Sequence, residues 1–386
     1  MQVISVILEI IIGLVSLSLI VLFHEFGHFI FAKLFGVKVL SFSVGMGPVL
    51  LHKEINGTDY RLSAIPIGGY CGMEGEKDFQ KAVENDSPRI SDDPHSLYGV
   101  HPAKRAMIAF AGPMFNFIMA IVFFIVISMV GHEFKTFSNE IIITDDIIES
   151  PARDAGLLTG DKIIKINDAK IENYNDIQQQ VYIHPKEQIT VVVDRNGELL
   201  TFTFTTLMNK DYGIGLIGVY CNPKTEITVE APTYSFFPAI YHGTIDCFEM
   251  ISTTIQSLKV LFKGVDVTRV TNGPAGVSYM VGASVTAEYK TSFRAGLYTT
   301  LQFMALISIS LGIMNLLPIP VLDGGLILFA IIALIFHREI PAKIQYKIQF
   351  IGIAVIIFLF LLGITGDVRF FIDQIKYSLS KGSVSK

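Results

Sequence analysis

Tryptophan is absent from this chain of 386 residues, cysteine occurs three times, and charged residues make up only 17%. Soluble domains carry about 25% charged residues, so the deficit excludes most soluble enzymes. A hydrophobic share of 51% with a net charge of −5 excludes a disordered chain and a basic nucleic-acid binder. Cys71, Cys221 and Cys247 are too few for a disulfide framework or a four-cysteine zinc site. Cys221 and Cys247 fall on one side of the membrane in the reading below, and their spacing leaves pairing open. Without Trp, the 29 Phe and 14 Tyr remain to anchor the chain at a lipid interface. No internal repeat or low-complexity tract occurs. These absences leave a membrane protein.

A helix that crosses a bilayer needs about 20 mostly apolar residues. Four runs meet that length: Val3 to Phe31, Ala106 to Gly131, Ala295 to Leu322 and Ile348 to Gly366. A shorter run, Gly324 to Phe336, suits a partly inserted helix. The first run lacks the basic start and small-residue cleavage site of a signal peptide, so it is read as a retained helix. Lys33, Lys38, Lys53, Arg61, Lys104 and Arg105 lie between the first two runs, and Arg338, Lys343 and Lys347 precede the fourth. The positive-inside rule places both loops in the cytoplasm. The long segment between runs two and three is then outside, as are both termini.

Val37 to Val44 alternates as a strand does, Gly45-Met46-Gly47-Pro48 reads as a turn, and Leu50 to Ser63 reads as a hairpin turning at Asn56-Gly57. Glu74 to His95 is polar and reads as a surface loop. In the outside segment, Ile163 to Asn167 reads as a strand and Tyr174 to Tyr182 as a helix. Gln188 to Val193 and Leu199 to Thr205 read as a hairpin around Arg195-Asn196-Gly197. The pattern weakens after Thr225, although Tyr241 to Phe262 spaces its apolar residues as an amphipathic helix would.

The chemistry starts at His24-Glu25-Phe26-Gly27-His28, which fits H-E-x-x-H. Residues four apart share one helix face, so both imidazoles converge on one ion, as zinc requires. Glu25 beside them can take a proton from the water that the metal activates. Glu9 lies 15 residues earlier, about 22 Å along a helix. Ionisable groups at such depth are costly in lipid and mark function. A catalytic zinc has three protein ligands, so one more is needed. Asp323 stands alone at the end of the uncharged third run, in Asn315-Leu-Leu-Pro318-Ile-Pro320-Val-Leu-Asp323-Gly324-Gly325. The prolines free backbone groups at membrane depth, which is tolerated only beside protein or a wet cavity. Asp323 reads either as the third ligand or as a helix cap, and the H-E-x-x-H favours the ligand. The other histidines, His52, His95, His101, His132, His184, His242 and His337, are scattered and read as surface residues.

H-E-x-x-H on the first helix with N-x-x-P-x-P-x-L-D-G on a later one resembles the site-2 proteases. More closely, it is similar to the bacterial RseP and RasP group of zinc intramembrane metalloproteases. Ile65-Pro-Ile-Gly-Gly-Tyr-Cys-Gly-Met73 is similar to that family's P-x-G-G-Y-V-K-M segment, with Cys71-Gly72 in place of Val-Lys. Lys104 to Asn116 resembles its R-x-x-I-x-x-A-G-P-x-x-N segment, and Leu326 stands where a histidine often follows L-D-G-G. Ser150-Pro-Ala-Arg-Asp-Ala-Gly-Leu-Leu-Thr-Gly-Asp161 with Ile163 to Asn167 resembles the opening of bacterial PDZ domains, and the chain has room for one.

The resemblance implies Zn²⁺ held by His24, His28 and Asp323, with Glu25 as the catalytic base. It also implies that Asn315, Pro318, Pro320, Gly45 and Gly47 handle an extended substrate. The implied activity is regulated intramembrane proteolysis of single-pass membrane proteins, such as anti-sigma factors or remnant signal peptides. A site-1-type protease cuts such substrates first. The implied location is the bacterial inner membrane, with no nucleic-acid partner.

The expected architecture is an α-helical polytopic membrane protein with a β-hairpin insert and one extracytoplasmic α+β PDZ domain. Its parts are helix 1 (1–36), the insert (37–102), helix 2 (103–131), the PDZ domain (139–207) and an outer region with an amphipathic helix (208–293). Helix 3 (294–323), a cytoplasmic-side helix and loop (324–346), helix 4 (347–366) and an outer tail (367–386) complete it. No long Gly/Ser linker separates Gly131 from Ile141, so the outer domain is expected to stay close to the membrane; its expected role is either to filter substrates by size or to capture peptides by strand addition. The alternative is a catalytically silent adaptor that presents its PDZ domain. An intact Glu25 argues against it.

Overall fold

Lipid offers backbone groups no partner, so long uncharged runs fold as helices that satisfy those groups internally. The computed structural model describes residues 2–87, 89–209, 213–260 and 273–384. Its first elements are α1 (Gln2–Leu34), β1 (Val39–Ile55), β2 (Thr58–Met73), α2 (Glu76–Glu84) and α3 (Pro102–Val130). There follow β3 (Glu133–Phe137), β4 (Ile141–Ile142), α4 (Pro151–Asp154), β5 (Lys162–Ile166), β6 (Ala169–Lys170) and α5 (Tyr174–Tyr182). Next come β7 (Gln188–Arg195), β8 (Glu198–Thr205), β9 (Leu207–Met208), β10 (Gly215–Leu216), β11 (Tyr220–Cys221) and β12 (Glu226–Glu230). The chain closes with α6 (Phe236–Val260), α7 (Pro274–Thr291), α8 (Phe293–Asn315), α9 (Asp323–Phe336) and α10 (Ala342–Val384).

Among the described residues four helical stretches are long and apolar enough to cross a membrane: Ile11–Leu34, Pro102–Val130, Phe293–Asn315 and Ala342–Gln374. This is the composition of a polytopic membrane protein, and α9 is a shorter apolar helix. The third run breaks sooner than its composition suggests. Its helix stops at Asn315 rather than Leu322, because Pro318 and Pro320 cannot continue it.

The chain divides into two compact units. The first contains α1 to α3 and α7 to α10, with the start of α6. In it β1 and β2 pair twice over. Val39 to Val44 pairs both with Gly69 to Met73 and with Asp59 to Leu62, while Val49 to Ile55 pairs with Thr58 to Ser63. Two long strands therefore make a four-ribbon sheet with Gly69–Met73 on one edge. The hairpin turns at Asn56 and Gly57, both with positive φ. The turn expected at Gly45–Pro48 is instead a bend inside β1. Gly45 and Gly47 both have φ near +83°, and a side chain on Gly45 would meet the Ile65 carbonyl at 2.7 Å. Leu50, Leu51, Ile55 and Ile65 are exposed on this sheet, an apolar face that water does not favour. Ser18 of α1 clasps the sheet, accepting from the Gly68 N–H at 2.9 Å and donating to the Pro66 carbonyl.

Two helices of this unit were not evident in sequence. α2 forms where Glu74 to His95 reads as a loop. α7 packs against α1 so closely that a side chain on Gly13 would fall 2.4 Å from the Ser278 carbonyl. Its first turn is capped by Asp367 of α10, whose carboxylate accepts from Gly273, Ala275 and Gly276 N–H groups at 2.7–3.2 Å. The tail expected after Gly366 continues α10 as helix to Val384. Phe262, the Glu9 side chain and the last two residues of the tail lie outside what is described.

The second unit holds Val130–Tyr234 and the later part of α6. Its four-stranded antiparallel sheet runs β6-β5-β7-β8. Inward residues alternate along β7, so Ile189, Val191 and Val193 are fully buried with Ile163, Ile166 and Leu157. α5 begins with a capping box between Asn173 and Asp176. Cys71, Cys221 and Cys247 are all free thiols.

One ion pair locks the second unit's sheet. Asp161 is 1% exposed. Burial raises its pKa, but hydrogen bonds from Arg195 and the Leu158 N–H outweigh that and hold it below the ordinary 3.8. Arg195 donates through Nε at 2.7 Å and Nη2 at 2.8 Å. A lowered carboxylate stabilises the fold above its unfolded pKa, and that stability is lost as pH falls through the folded value. Asp161→Asn is expected to lower this unit's stability at pH 7 by about 2 kcal/mol and to flatten its acid sensitivity below about pH 4. Pulse proteolysis of the full chain across pH measures both.

Candidate metal centre

Two buried imidazoles need room, orientation and a counter-charge. α1 places His24 and His28 one turn apart, and both are nearly buried, at 7% and 6% exposure. The room comes from α3. A side chain on Gly112 would lie 2.4 Å from His28 Nε2 and 2.7 Å from His24 Cε1. Gly27 similarly meets the Ala111 carbonyl, at 2.4 Å. Glycine on both helices thus lets them cross closely, as small residues do in membrane bundles.

Orientation comes from α3 as well. His28 Nδ1 donates to the Ile108 carbonyl at 2.8 Å, which leaves Nε2 with its lone pair. Asn116, fully buried, places its amide 3.1 Å from His24 Nδ1. Asp323 supplies the counter-charge as the first residue of α9, where the helix dipole favours a carboxylate. The loop before it folds back tightly, since side chains on Gly324 and Gly325 would strike the Leu317 and Ile319 carbonyls at 2.2 and 2.5 Å.

The three side chains meet at one point. His24 Nε2 and His28 Nε2 are 3.1 Å apart. Asp323 Oδ2 is 3.1 Å from His24 Nε2, and Oδ1 is 3.4 Å from His28 Nε2. Ligands of a tetrahedral zinc at 2.0–2.1 Å stand about 3.3–3.4 Å from one another. Asp323 Oδ2 is buried without a hydrogen-bond partner, an orphan that a cation would satisfy. Among the described residues this is the group of His, Cys, Asp or Glu able to hold a metal. The N/O donor set suits zinc.

Glu25 sits beside the group, and its Oε2 accepts from the Cys71 N–H of the sheet edge at 3.0 Å. A cavity of about 360 Å³ opens here, lined by His24, Glu25, His28 and Asp323, with Cys71, Met73, Asn116 and Asn315 among its other walls. Pro318, Pro320, Gly45 and Gly47 lie outside that lining. Pro320 instead packs on α10, where a side chain on Gly352 would strike its carbonyl. Sequence reasoning saw Gly112 and Asn116 only as letters of a motif, and did not see the Cys71 N–H at all. The local signal for the first two was A-G-P-x-x-N on an uncharged helix. A backbone donor leaves no sequence signal.

The sequence is similar to those of known proteins. Residues 12–359 match the model for peptidase family M50. A Treponema pallidum protein that carries a zinc metalloprotease name is 35% identical over 94% of this chain and 99% of its own. A Campylobacter jejuni protein with a similar name is 31% identical over 93% of this chain and 92% of its own. The zinc metalloprotease RasP of Shouchella clausii is 27% identical over 91% and 96%.

Removing the counter-charge tests the centre directly. Asp323→Ala is expected to reduce bound zinc from about one per chain to a small fraction, because two histidines give too few protein ligands. Gly112→Ala is expected to do the same without touching a ligand, by filling the imidazoles' space. Metal analysis of purified protein reads both. Near-stoichiometric zinc in Asp323→Ala would assign the third ligand elsewhere.

Proposed function

The chain belongs to peptidase family M50 and is a zinc metalloprotease, and from that premise we propose that it cuts peptide bonds within or beside the bilayer. The observation that carries the proposal is the depth of the constellation: His24, Glu25 and His28 lie inside the Ile11–Leu34 stretch, itself apolar enough to span. His24, His28 and Asp323 would hold the ion. When bound, zinc supplies Lewis acidity to the scissile carbonyl and to the attacking water. Glu25 takes the proton of that water and delivers it to the leaving amine. The Cys71 N–H fixes one oxygen of Glu25, which leaves the other for the proton.

The substrate class is a single-pass membrane protein already trimmed by another protease. A transmembrane helix hides its carbonyls, so it must unwind to be cut. The sheet edge Gly69–Met73 supports this reading, since Cys71 and Met73 line the cavity and an edge strand takes up extended chain. Asn315, also on the cavity wall, holds the unwound strand. Pro318 and Pro320 act from behind by keeping the loop open, and Gly45 and Gly47 by bending β1. We propose a bacterial inner membrane as its location, with the metal toward the cytoplasm and residues 139–207 outside.

Residues 139–207 are read as a PDZ domain, and one observation favours a filtering role over peptide capture. The second unit has a groove of about 350 Å³ between α5 and Ile217–Tyr220. The Ile217, Gly218 and Val219 carbonyls there already accept from the Ala152 N–H, the Ser150 hydroxyl and the Tyr174 hydroxyl. A peptide added as a strand here would have to share or displace those bonds.

Glu25→Gln is expected to keep zinc near one per chain while cleavage of a trimmed single-pass substrate falls at least about 100-fold. Full activity in detergent would remove Glu25 from the mechanism. Deleting residues 139–207 is expected to admit untrimmed substrates while trimmed ones are cut as before. Weaker cleavage of trimmed substrates would instead assign capture.

A further inference from the structure

We propose that Asn116 is the residue that fixes the tautomer of His24, and that it does so through its amide oxygen. The inference rests on His24, His28 and Asp323 being the zinc ligands. An imidazole that binds metal through Nε2 carries its proton on Nδ1 and needs an acceptor there. His28 has one in the Ile108 carbonyl. For His24, the Asn116 amide lies within reach of Nδ1, at 3.1 Å. An NH₂ facing Nδ1–H would set two donors against each other. The oxygen must face it, as the two ends of an amide exchange by rotation. With the nitrogen facing His24 instead, Asn116 Oδ1 is buried with no hydrogen-bond partner, so that orientation leaves the amide's acceptor unused.

The position is built to hold this geometry. Asn116 is 0% exposed and sits on the same helix as Gly112 and Ile108. One turn separates it from Gly112, so the residue that makes space for the imidazoles and the one that orients His24 share a face. Its backbone carbonyl accepts from Ser308 of α8 at 2.8 Å, which ties the helix that leads to Asp323 to the same point. Asn116 is thus a positioning residue. It acts on zinc through His24, and it does not need to touch substrate.

The test is zinc affinity of the purified full chain, measured by competition with a chelator. Asn116→Leu, of similar size with no acceptor, is expected to weaken zinc binding about 10–100-fold. Asn116→Asp keeps an acceptor at the same reach and is expected to bind zinc within about threefold of wild type or more tightly. A packing role gives the opposite order, because a buried carboxylate without a donor is worse than Leu. Wild-type affinity in Asn116→Leu, or a loss in Asn116→Asp as large as in Asn116→Leu, overturns the proposal. If Asn116→Leu does not fold, Asn116→Asp still decides. His24→Ala serves as the reference for the site. Zinc retained in His24→Ala would reject the ligand set itself, whereas zinc lost there but unaffected in Asn116→Leu rejects only the role of Asn116.

Discussion

Two buried imidazoles can converge on one point inside an apolar bundle only if the neighbouring helix leaves them space, and here the space is one missing side chain. Gly112 faces both rings. In water-soluble helices an interior glycine costs roughly 1 kcal/mol against alanine. In this bundle the same residue lets α1 and α3 approach until Gly27 meets the Ala111 carbonyl. The close crossing then brings α3's own polar groups, the Ile108 carbonyl and the Asn116 amide, against the far side of each ring. Room and orientation therefore come from one helix. A bulkier crossing would lose both, because buried ring nitrogens without partners are costly in an apolar interior.

How much of this could be read from the sequence depends on how local each signal is. The H-E-x-x-H spacing is a property of one turn, and His24, Glu25 and His28 were legible from it. The two-residue turn at Asn56-Gly57 and the bounds of α5 were legible for the same reason. Asp323 took more, since its lone charge mattered only beside the broken helix before it. Asn116 was visible, but its role was not: its partner His24 is 92 positions away in the chain. α7 was invisible for a different reason. Its buried face is Gly276, Ser278, Val281, Gly282 and Val285, largely small residues, so hydrophobic periodicity had little to detect. The bend at Gly45–Pro48 was misread as a turn because Gly-x-Gly-Pro carries the composition of one. Whether two positive-φ glycines reverse a strand or fold it onto a second partner is decided by pairing, not composition.

The loop from Leu316 to Leu322 shows where the fold accepts strain. Irregular backbone among apolar helices needs partners for its N–H groups. Leu316, Leu317, Ile319 and Leu322 donate to Gly312, Met314, Leu317 and Ile319 carbonyls. Pro318 and Pro320 bring no donor at all, which shortens the account. Val321 adds a second cost, a β-branched residue at φ +96°, in a region such side chains rarely enter. Strain of that kind costs about 1–3 kcal/mol and persists only where the surroundings overdetermine it. They do so here: Gly324, Gly325 and Gly352 each give up a side chain so that the Leu317, Ile319 and Pro320 carbonyls can seat. Three glycines thus clamp a loop of seven residues, and the strained one lies on the cavity wall two positions before Asp323. A relaxed loop would let the Asp323 carboxylate drift from two rigidly held imidazoles. The strain is the cost of fixing Asp323 with the same precision from a broken helix that α3 gives the histidines from an intact one.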